Sequence, residues 1–263
     1  MSDAVTAMSR FAGKVVLVAG ATSGIGRATA IAFGAEGATV ICCGRREAEG
    51  QETVQMVKAA GGSGAFLPLD VTRDSEVAAL RATLIGRHGR LNCAANCLGA
   101  DISGGFLDLD ADAFDKVFAT NVRGLFLLMQ QEVRAMHDAG GGAIVNVGSI
   151  AGGRPYPGNS VYNASKSAMR MLTRSAAVEC GPLGIRINEV SPGPTDTPML
   201  NEYIRRSQGT PAAATLDTFA SATPLGRVGT PEDLAQSILF LCSPAASHVT
   251  GTVLQVDGGF ALA

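Results

Sequence analysis

The chain contains 263 residues, of which 46% are hydrophobic and 17% are charged, and its formal net charge is −2 at pH 7. This composition predicts a chain that buries a large core, and it excludes an intrinsically disordered one. A net charge so close to zero also argues against a nucleic-acid partner, because binding phosphates requires a strongly positive surface.

The chain begins with MSDAVTAMSR, which is polar and lacks the charged and then apolar layout of a secretory signal. No apolar run approaches the length that crosses a bilayer, so no membrane partner is predicted. The six cysteines include no CxxC pair and are accompanied by only three histidines, so no metal site is predicted. We therefore expect a cytoplasmic protein in a reducing compartment, with residues 1–12 as a flexible N-terminal tail.

Short apolar runs alternate with helical stretches along the rest of the chain. Seven runs are predicted as strands, at residues 14–20, 38–43, 64–69, 90–95, 143–148, 185–190 and 252–259. Six stretches are predicted as helices, at residues 24–36, 47–60, 74–88, 111–138, 160–180 and 231–242. Thr230 and Pro231 form a strong helix start, and Asp74 and Asp110 are predicted as helix caps.

This alternation predicts the α/β class, with one doubly wound Rossmann-type domain over residues 1–263. Its seven-stranded sheet is expected to be mostly parallel, with helices on both faces. Residues 191–225 depart from the pattern: they are rich in Pro, Ser, Thr and Ala and carry helical fragments such as MLNEYIRR. A long irregular insertion of this kind is expected to form a lid over a substrate site.

A glycine-rich turn, VAGATSGIGRA, directly follows the first predicted strand. Gly20 would let the chain turn sharply, Gly24 would let the backbone approach a ligand, and Gly26 would let the next helix lie close to the sheet. That helix would present free N–H groups to a pyrophosphate, with Ser23 and Ile25 beside it. The turn predicts a dinucleotide site, and the alternative is a strand-to-helix turn that binds nothing.

These glycines resemble the TGxxxGxG motif of the short-chain dehydrogenase/reductase family, in its single-domain branch. Ala19 stands where that family usually has threonine, and the three glycines are intact. The resemblance extends from Lys14 to the VDGG near the end of the chain. It implies an oxidoreductase that transfers hydride between a nicotinamide cofactor and a carbonyl or secondary alcohol.

The choice of cofactor is expected to depend on the end of the second strand, in ICCGRREAEG. Gly44 stands where an NAD-preferring relative would carry an aspartate for the ribose hydroxyls, and Arg45 and Arg46 follow it. Because a guanidinium can pair with a phosphate through two hydrogen bonds, NADP(H) is favoured. NAD(H) stays open, since both arginines could be solvated charges and Ser23 stands where many NADP-preferring relatives carry a basic residue.

Other cofactor contacts follow from the resemblance alone. Asp70 would bind the adenine amino group, with Val71 beside the ring, although Asp70 could otherwise simply cap a turn. Asn96 and Gly99 match the first and last positions of the family's NNAG motif. The remaining contacts, around the nicotinamide and the phosphates, would come from Pro192, Gly193 and Thr195.

SVYNASKSAMRML places Tyr162 four residues before Lys166, so both would lie on one face of a helix. A neighbouring ammonium would favour the phenolate and let the tyrosine act as a base near neutral pH. YxxxK alone arises by chance on many helices, so its context matters. Ser149 ends a predicted strand, and Asn121 interrupts an apolar helix, where its amide could break the helix and hold a water.

These four residues resemble the family's Asn-Ser-Tyr-Lys tetrad. The resemblance implies that Tyr162 is the general acid/base and that Ser149 polarises the substrate oxygen. Lys166 would lower the pKa of the tyrosine and bind the nicotinamide ribose, and Asn121 would position a water that relays protons to it. Tyr162 and Lys166 are therefore expected to contact the cofactor as well.

The substrate is expected to be a small neutral ketone or secondary alcohol, because the stretches predicted to line its site, GADISGG, IAGGRPYPGN and residues 199–206, are mainly apolar. The alternative function is a nonenzymatic NADP-binding redox sensor, although such a protein would not need Tyr162 and Lys166. The family resemblance also implies a homotetramer built through the helices predicted at 111–138 and 160–180 and through the last strand.

Overall fold

The computed structural model describes residues 9–208 and 213–263. One sheet contains the strands β1 (Val15–Ala19), β2 (Thr39–Gly44), β3 (Ser63–Pro68), β4 (Cys93–Asn96), β5 (Gly142–Val147), β6 (Ile185–Pro192) and β7 (Val253–Val256). The helices are α1 (Gly24–Ala35), α2 (Glu47–Ala59), α3 (Asp74–His88), α4 (Ala111–Phe118), α5 (Leu125–Asp138), α6 (Ser160–Cys180), α7 (Pro198–Ser207), α8 (Leu216–Ala222) and α9 (Pro231–Cys242).

The strands follow the order β3-β2-β1-β4-β5-β6-β7, and every neighbouring pair is parallel. This confirms the predicted doubly wound α/β sheet. The chain reverses its direction of travel across the sheet between β1 and β4, because β2 and β3 lie on one side of β1 and the later strands on the other. Such a reversal opens a crevice at the carboxyl ends of the two central strands, which is where ligands bind in folds of this kind.

Helices cover both faces of the sheet, which is why the strands read as continuous apolar runs. All five residues of β1 are buried. Val16 and Val18 belong to a core shared with α1, α2 and α9, whereas Leu17 and Ala19 belong to a second core shared with α3, α5 and α6. Since each large aliphatic side chain contributes roughly 1.5–3 kcal/mol when fully buried, these two cores fix the strand positions.

The predicted N-terminal tail is wrong for residues 9–12. Phe11 is only 2% exposed, and its ring meets that of Phe33 edge to face, with ring centroids 4.8 Å apart. Arg10 forms an ion pair with Glu36 at 2.7 Å, which fastens the same segment to the end of α1. Residues 1–8, the remainder of that prediction, lie outside the described residues.

The helix predicted at 111–138 is divided by a π-helical segment, Ala119–Gly124, that contains Asn121. The predicted local break therefore exists, and α4 and α5 flank it. A π-helical turn inserts one extra residue into a helix and is frequent at functional sites. Here it shifts the register of the two flanking helices beside the crevice.

The helix caps agree with the sequence in two cases out of three. Asp110 accepts a hydrogen bond from Ala113 N at 2.8 Å, and Thr230 forms a reciprocal capping box with Asp233. The prediction for Asp74 is wrong, because Arg73 occupies the cap position and Asp74 is the first helical residue. The Asp74 carboxylate pairs instead with Arg123, in the π-helical segment.

The insertion predicted at 191–225 contains two short helices, α7 and α8, of which α8 begins with a capping box at Thr215. β6 extends into this range as far as Pro192, so the irregular part begins later than predicted. Residues 209–212 of the insertion lie outside the described residues. Across the residues that are described, no helix is long and apolar enough to cross a bilayer.

Candidate active site

A cavity of about 470 Å³ opens at the carboxyl ends of the central strands. It is lined by the glycine turn after β1, by the start of α6 and by the first half of α7, among others. All the residues predicted for the site line this cavity except Asn96 and Asn121. Among the described residues, no group of His, Cys, Asp and Glu side chains is placed to hold a metal ion.

The glycine turn is built from positions that tolerate no side chain. Gly20 has a φ of +80°, and a Cβ there would collide with the carbonyl oxygen of Cys97. A Cβ on Gly26 would collide with the carbonyl oxygen of Gly20, so the turn and the first helical turn lie in direct backbone contact. Ser23 occupies the N-cap of α1 without a side-chain capping bond, which leaves the N–H groups of the first turn available to a ligand.

Basic and hydroxyl groups meet at the end of β2. Arg46 donates hydrogen bonds to Thr22 Oγ1 and to Ser23 Oγ, each at 2.8 Å. Gly44 carries no acid, and a Cβ there would lie 2.7 Å from Thr22 Cγ2, so this packing disfavours an aspartate at this position. Arg45 also lines the cavity. The end of β2 therefore presents positive charge and hydroxyl groups to whatever occupies this end of the cavity.

Asp70 follows β3 and also lines the cavity. Its Oδ1 accepts hydrogen bonds from both the backbone N–H and the hydroxyl of Thr72. Partial burial acts to raise the pKa of Asp70, but these hydrogen bonds and the charges of Arg45 and Arg73 hold it below its usual value. The carboxylate is therefore ionised and held in a turn, and its role as an acceptor for the adenine amino group stays a prediction.

Tyr162 lies in the first turn of α6, beside Ser149, which follows β5. Burial raises the pKa of Tyr162 to about 12; a hydrogen bond with Ser149 opposes this rise, and the charge of Asp101 adds to it. Ser149 Oγ also accepts a hydrogen bond from Ala151 N at 3.1 Å, which fixes the hydroxyl at the end of its strand. The phenol and the hydroxyl thus face the same part of the cavity.

Lys166 lies one helical turn after Tyr162 and is 2% exposed. Its Nζ donates to the carbonyl oxygen of Val147 at 3.0 Å and lies 5.7 Å from the centre of the tyrosine ring. Burial lowers the pKa of Lys166 to about 8, while the charges of Glu189 and Cys97 oppose this shift. The ammonium is the prevailing form at neutral pH, close to the phenol.

The expected lowering of the tyrosine pKa by Lys166 is not found in the protein alone. Burial dominates, and the pKa of Tyr162 moves up to about 12 rather than down from its ordinary value of 10. The prediction considered the attraction between ammonium and phenolate but not the loss of water around the phenolate. A phenolate at neutral pH therefore requires a further positive charge in the cavity.

An ion pair that the sequence reasoning missed supports this arrangement. Arg170, four residues after Lys166, donates to both carboxylate oxygens of Glu189 and to the carbonyl oxygen of Ser149 at 3.0 Å. The Glu189 side chain is completely buried in β6. Two features of the sequence could have indicated this pair. Arg170 lies four residues after Lys166, on the same face of the helix, and Glu189 is an acid inside the apolar run IRINEV.

Asn121 does not line the cavity, and its amide is not free to hold a water. The amide accepts from Ala100 N at 2.8 Å and donates to Ala100 O and to Ser165 Oγ at 2.9 and 3.0 Å. The Ser165 hydroxyl donates in turn to the carbonyl oxygen of Tyr162. The side chain of Asn121 therefore ties the loop after β4 to α6, and a relay through this residue would have to use its backbone.

Asn96 does not line the cavity, and a cofactor contact by this residue stays a prediction. Its side chain is completely buried and donates to Glu132 Oε2 at 3.0 Å and to Asn146 Oδ1 at 2.9 Å. Asn146 donates onward to Thr173 in α6, so this network joins β4, β5, α5 and α6 beneath the cavity. Burial raises the pKa of Glu132 to about 7, although the hydrogen bond from Asn96 opposes the rise.

Known proteins resemble this chain over nearly its whole length. A protein-family profile described as enoyl-(acyl carrier protein) reductase matches residues 20–261. A 3β-hydroxysteroid dehydrogenase from Mediterraneibacter gnavus is 38% identical over 96% of this chain and 96% of its own length, and a cyclopentanol dehydrogenase from a Comamonas species is 36% identical over 96% and 99%. A solved structure of an actinorhodin polyketide ketoreductase variant with NADPH is 31% identical, with a TM-score of 0.90 over 94% of this chain and 97% of that one.

The buried carboxyl of Glu132 predicts a pH-dependent stability difference. Because its pKa is higher in the folded protein than the ordinary value of 4.5, the folded state holds the proton longer, and this group's contribution to stability falls as pH rises from about 4.5 to about 7. Glu132→Gln removes this loss, so the variant should gain on the order of 2 kcal/mol relative to wild type between pH 5 and pH 8. Urea unfolding at pH 5 and pH 8 measures the free energy of unfolding of each protein, with a variant of an exposed acid, Glu179→Gln, as control. If the free energies of Glu132→Gln and wild type change by the same amount between the two pH values, the raised pKa of Glu132 is contradicted.

The Arg170–Glu189 pair predicts a large loss of stability when one partner is neutralised. Glu189→Gln leaves a guanidinium that is only 15% exposed beside an uncharged amide. Breaking a largely buried pair in this way costs about 3–5 kcal/mol. The exposed pair between Glu202 and Arg205 offers a matched control, since Glu202→Gln should leave the unfolding midpoint nearly unchanged. Chemical unfolding of wild type, Glu189→Gln and Glu202→Gln measures the three midpoints. Equal midpoints would show that the Arg170–Glu189 pair does not stabilise the protein.

Proposed function

The chain belongs to the short-chain dehydrogenase/reductase family of oxidoreductases, and we propose that it interconverts a ring-borne secondary alcohol and its ketone with NADP(H). The observation that carries this proposal is that Ser149, Tyr162 and Lys166 line the same cavity as the glycine turn. A proton donor and a dinucleotide cradle in one cavity are what hydride transfer to a carbonyl requires. The three named relatives are all described as enzymes, which favours this function over a nonenzymatic sensor.

The cavity fits a nicotinamide dinucleotide in three respects. The glycine turn offers backbone N–H groups without any Cβ in the way, as a pyrophosphate requires. The cluster of Arg46, Thr22 and Ser23 would hold the 2′-phosphate that distinguishes NADP from NAD. The similar ketoreductase structure contains NADPH, which agrees with this choice. Thr195, Pro192 and Gly193 would lie along the nicotinamide end.

The protein's own residues handle the proton while the bound cofactor supplies or accepts the hydride. In ketone reduction, Ser149 donates a hydrogen bond to the carbonyl oxygen, and Tyr162 gives up its proton to that oxygen as the negative charge develops. In alcohol oxidation, the tyrosine takes the proton back. Lys166 holds a positive charge beside the phenolate throughout, and the carbonyl of Val147 keeps its ammonium in place.

The substrate end of the cavity suits a flat or ring-shaped molecule. Its walls include Met199 and a series of aromatic side chains in which Tyr156, Phe260, Phe219 and Tyr203 follow one another at centroid distances of 6.2–6.3 Å. α7 and α8, from the predicted lid, provide part of these walls. The named dehydrogenases act on hydroxyl groups carried on rings, a steroid in one case and cyclopentanol in the other, which supports the same class here.

A homotetramer is also proposed, as the family resemblance implies. The outer side of α4, α5 and α6 exposes Phe114, Phe126, Met171 and Val178, the last of them 79% exposed. Exposed apolar side chains grouped on neighbouring helices are typical of surfaces that bind another protein chain. The cytoplasmic location and the opening and closing of the lid stay predictions of the sequence.

Removing the phenolic hydroxyl of Tyr162 should strongly reduce turnover while leaving cofactor binding intact. General acid/base groups contribute about 10²- to 10⁴-fold, so Tyr162→Phe should lower kcat for cyclopentanol oxidation by that factor. Tyr203→Phe, which removes another hydroxyl from the cavity wall, is the matched control and should cost far less. Absorbance at the NADPH band measures turnover and fluorescence titration measures binding. If wild type binds NADPH but turns over no alcohol or ketone in a broad panel, the sensor function replaces this one.

Arg46 should discriminate between the two cofactors. A charge-assisted hydrogen bond contributes about 1.5–3 kcal/mol, so Arg46→Ala should raise KM for NADP⁺ by roughly tenfold to a hundredfold and change KM for NAD⁺ little. Arg205→Ala, which removes an exposed arginine outside the cavity, serves as control. Steady-state kinetics with NADP⁺ and with NAD⁺ measure both KM values for Arg46→Ala. An equal rise in the two KM values would contradict a 2′-phosphate site at Arg46.

A further inference from the structure

Three residues that line the cavity each carry a buried polar atom that has no hydrogen-bond partner in the described part of the chain. These atoms are Asp101 Oδ1, Tyr156 OH and Asn163 Oδ1. They come from the loop after β4, the loop before α6 and the first turn of α6. Buried polar atoms are nearly always paired, so unpaired ones that converge on a cavity indicate groups that a ligand completes. The proposed mechanism uses none of the three.

Asp101 is the most informative of these residues. Its side chain is 9% exposed, Oδ2 forms an ion pair with Arg206 of α7 at 3.3 Å, and Oδ1 forms no hydrogen bond of normal geometry. Burial raises the pKa of Asp101, while the charge of Arg206 and the nearby Ser103 hydroxyl oppose the rise. Because the negative charge is balanced by Arg206, Oδ1 is suited to a neutral donor rather than to a cation.

Asp101 lines the same cavity as Tyr162 and Ser149. Its negative charge contributes to raising the pKa of the Tyr162 phenol, and it lies two residues after Gly99, which also lines the cavity. A hydrogen bond from Gly104 N to Gly158 O, at 2.9 Å, ties this loop to the segment that leads into α6. The carboxylate is therefore held beside the substrate end rather than the adenine end.

Asn163 and Tyr156 extend the same polar lining. The Asn163 side chain donates from Nδ2 to the carbonyl oxygen of Tyr156 at 3.1 Å, which leaves its Oδ1 as an acceptor. Tyr156 lies against Phe260, and its hydroxyl is unpaired. Two of the three free atoms can only accept hydrogen bonds, and the third can accept or donate. The ligand that satisfies them must carry hydrogen-bond donors.

We propose that Asp101 binds a second hydroxyl group of the substrate, so that the preferred substrates are diols or the corresponding hydroxyketones. This inference rests on the proposed dehydrogenase function and deepens it. The reacting hydroxyl meets Tyr162 and Ser149, and the second hydroxyl donates to Asp101 Oδ1 without taking part in the reaction. Asn163 and Tyr156 bind a further hydroxyl or the same one, according to the position of that group on the ring. An apolar mono-alcohol leaves Oδ1 unpaired and is disfavoured.

The test compares cyclohexanol with the 1,2-, 1,3- and 1,4-cyclohexanediols at saturating NADP⁺. Wild type should show a kcat/KM for at least one diol that exceeds the value for cyclohexanol by about tenfold or more, because a site built for a hydroxyl rejects the analogue that lacks it. In Asp101→Ala that ratio should fall to near unity. Asp101→Asn keeps an acceptor oxygen and should retain part of it. Asp112→Ala, an exposed acid on α4, should keep the wild-type ratio.

Two outcomes overturn the inference: a wild-type ratio near unity for every diol, or a ratio that Asp101→Ala leaves unchanged. Failure of the dehydrogenase function looks different, since none of the alcohols would then reduce NADP⁺, or Tyr162→Phe would remain fully active. In that case, calorimetric titration of the diols into the NADP⁺-loaded proteins still decides the role of Asp101. Binding by wild type that is lost in Asp101→Ala supports it, and equal or absent binding in both refutes it. Melting curves confirm that each variant is folded.

Discussion

The site depends on a buried ammonium next to a buried phenol. Burial acts against the charged form of each group, raising the pKa of Tyr162 to about 12 and lowering that of Lys166 to about 8. Proton transfer requires the opposite pairing, a phenolate beside an ammonium. Nζ lies 5.7 Å from the centre of the tyrosine ring, yet the pKa of Tyr162 stays at about 12, so the attraction of the ammonium does not overcome the burial of the phenol. In the proposed mechanism, the positive charge that an oxidised nicotinamide would carry supplies the further stabilisation of the phenolate.

The surrounding structure serves mainly to hold these two groups where burial and charge balance. The Val147 carbonyl and the negative charge of Glu189 favour the ammonium, and Arg170 prevents Glu189 from being an isolated buried charge. The same guanidinium binds the carbonyl of Ser149, so the hydroxyl and the lysine share one support. A change in this ion pair would reach both the stability of β6 and the position of Ser149.

Much of the fold could be predicted because its signals are local. Apolar runs of strand length, the helix start at Thr230 and the glycine turn each depend on residues close together in the chain. The spacing of Tyr162 and Lys166 is local in the same sense. Asn96 shows the limit: it matches a motif, yet its side chain points into a buried network with Glu132 and Asn146, which lie 36 and 50 positions away. The match to the motif predicted an asparagine at this position. It could not distinguish an asparagine that contacts a cofactor from one whose side chain joins neighbouring strands by hydrogen bonds.

The two ends of the cavity differ in how they are built, and this explains why one was predictable and the other was not. The proposed cofactor end is mostly backbone, since Gly20 and Gly26 are required by contacts that no side chain could replace. The proposed substrate end is made of side chains from the loop after β4, the start of α6 and the helices of the insertion. Its polarity depends on which atoms remain unpaired after folding, as with Asp101, whose one oxygen is taken by Arg206 from α7. Composition alone indicated an apolar pocket there, because a single unpaired carboxylate oxygen is invisible until its partners are known.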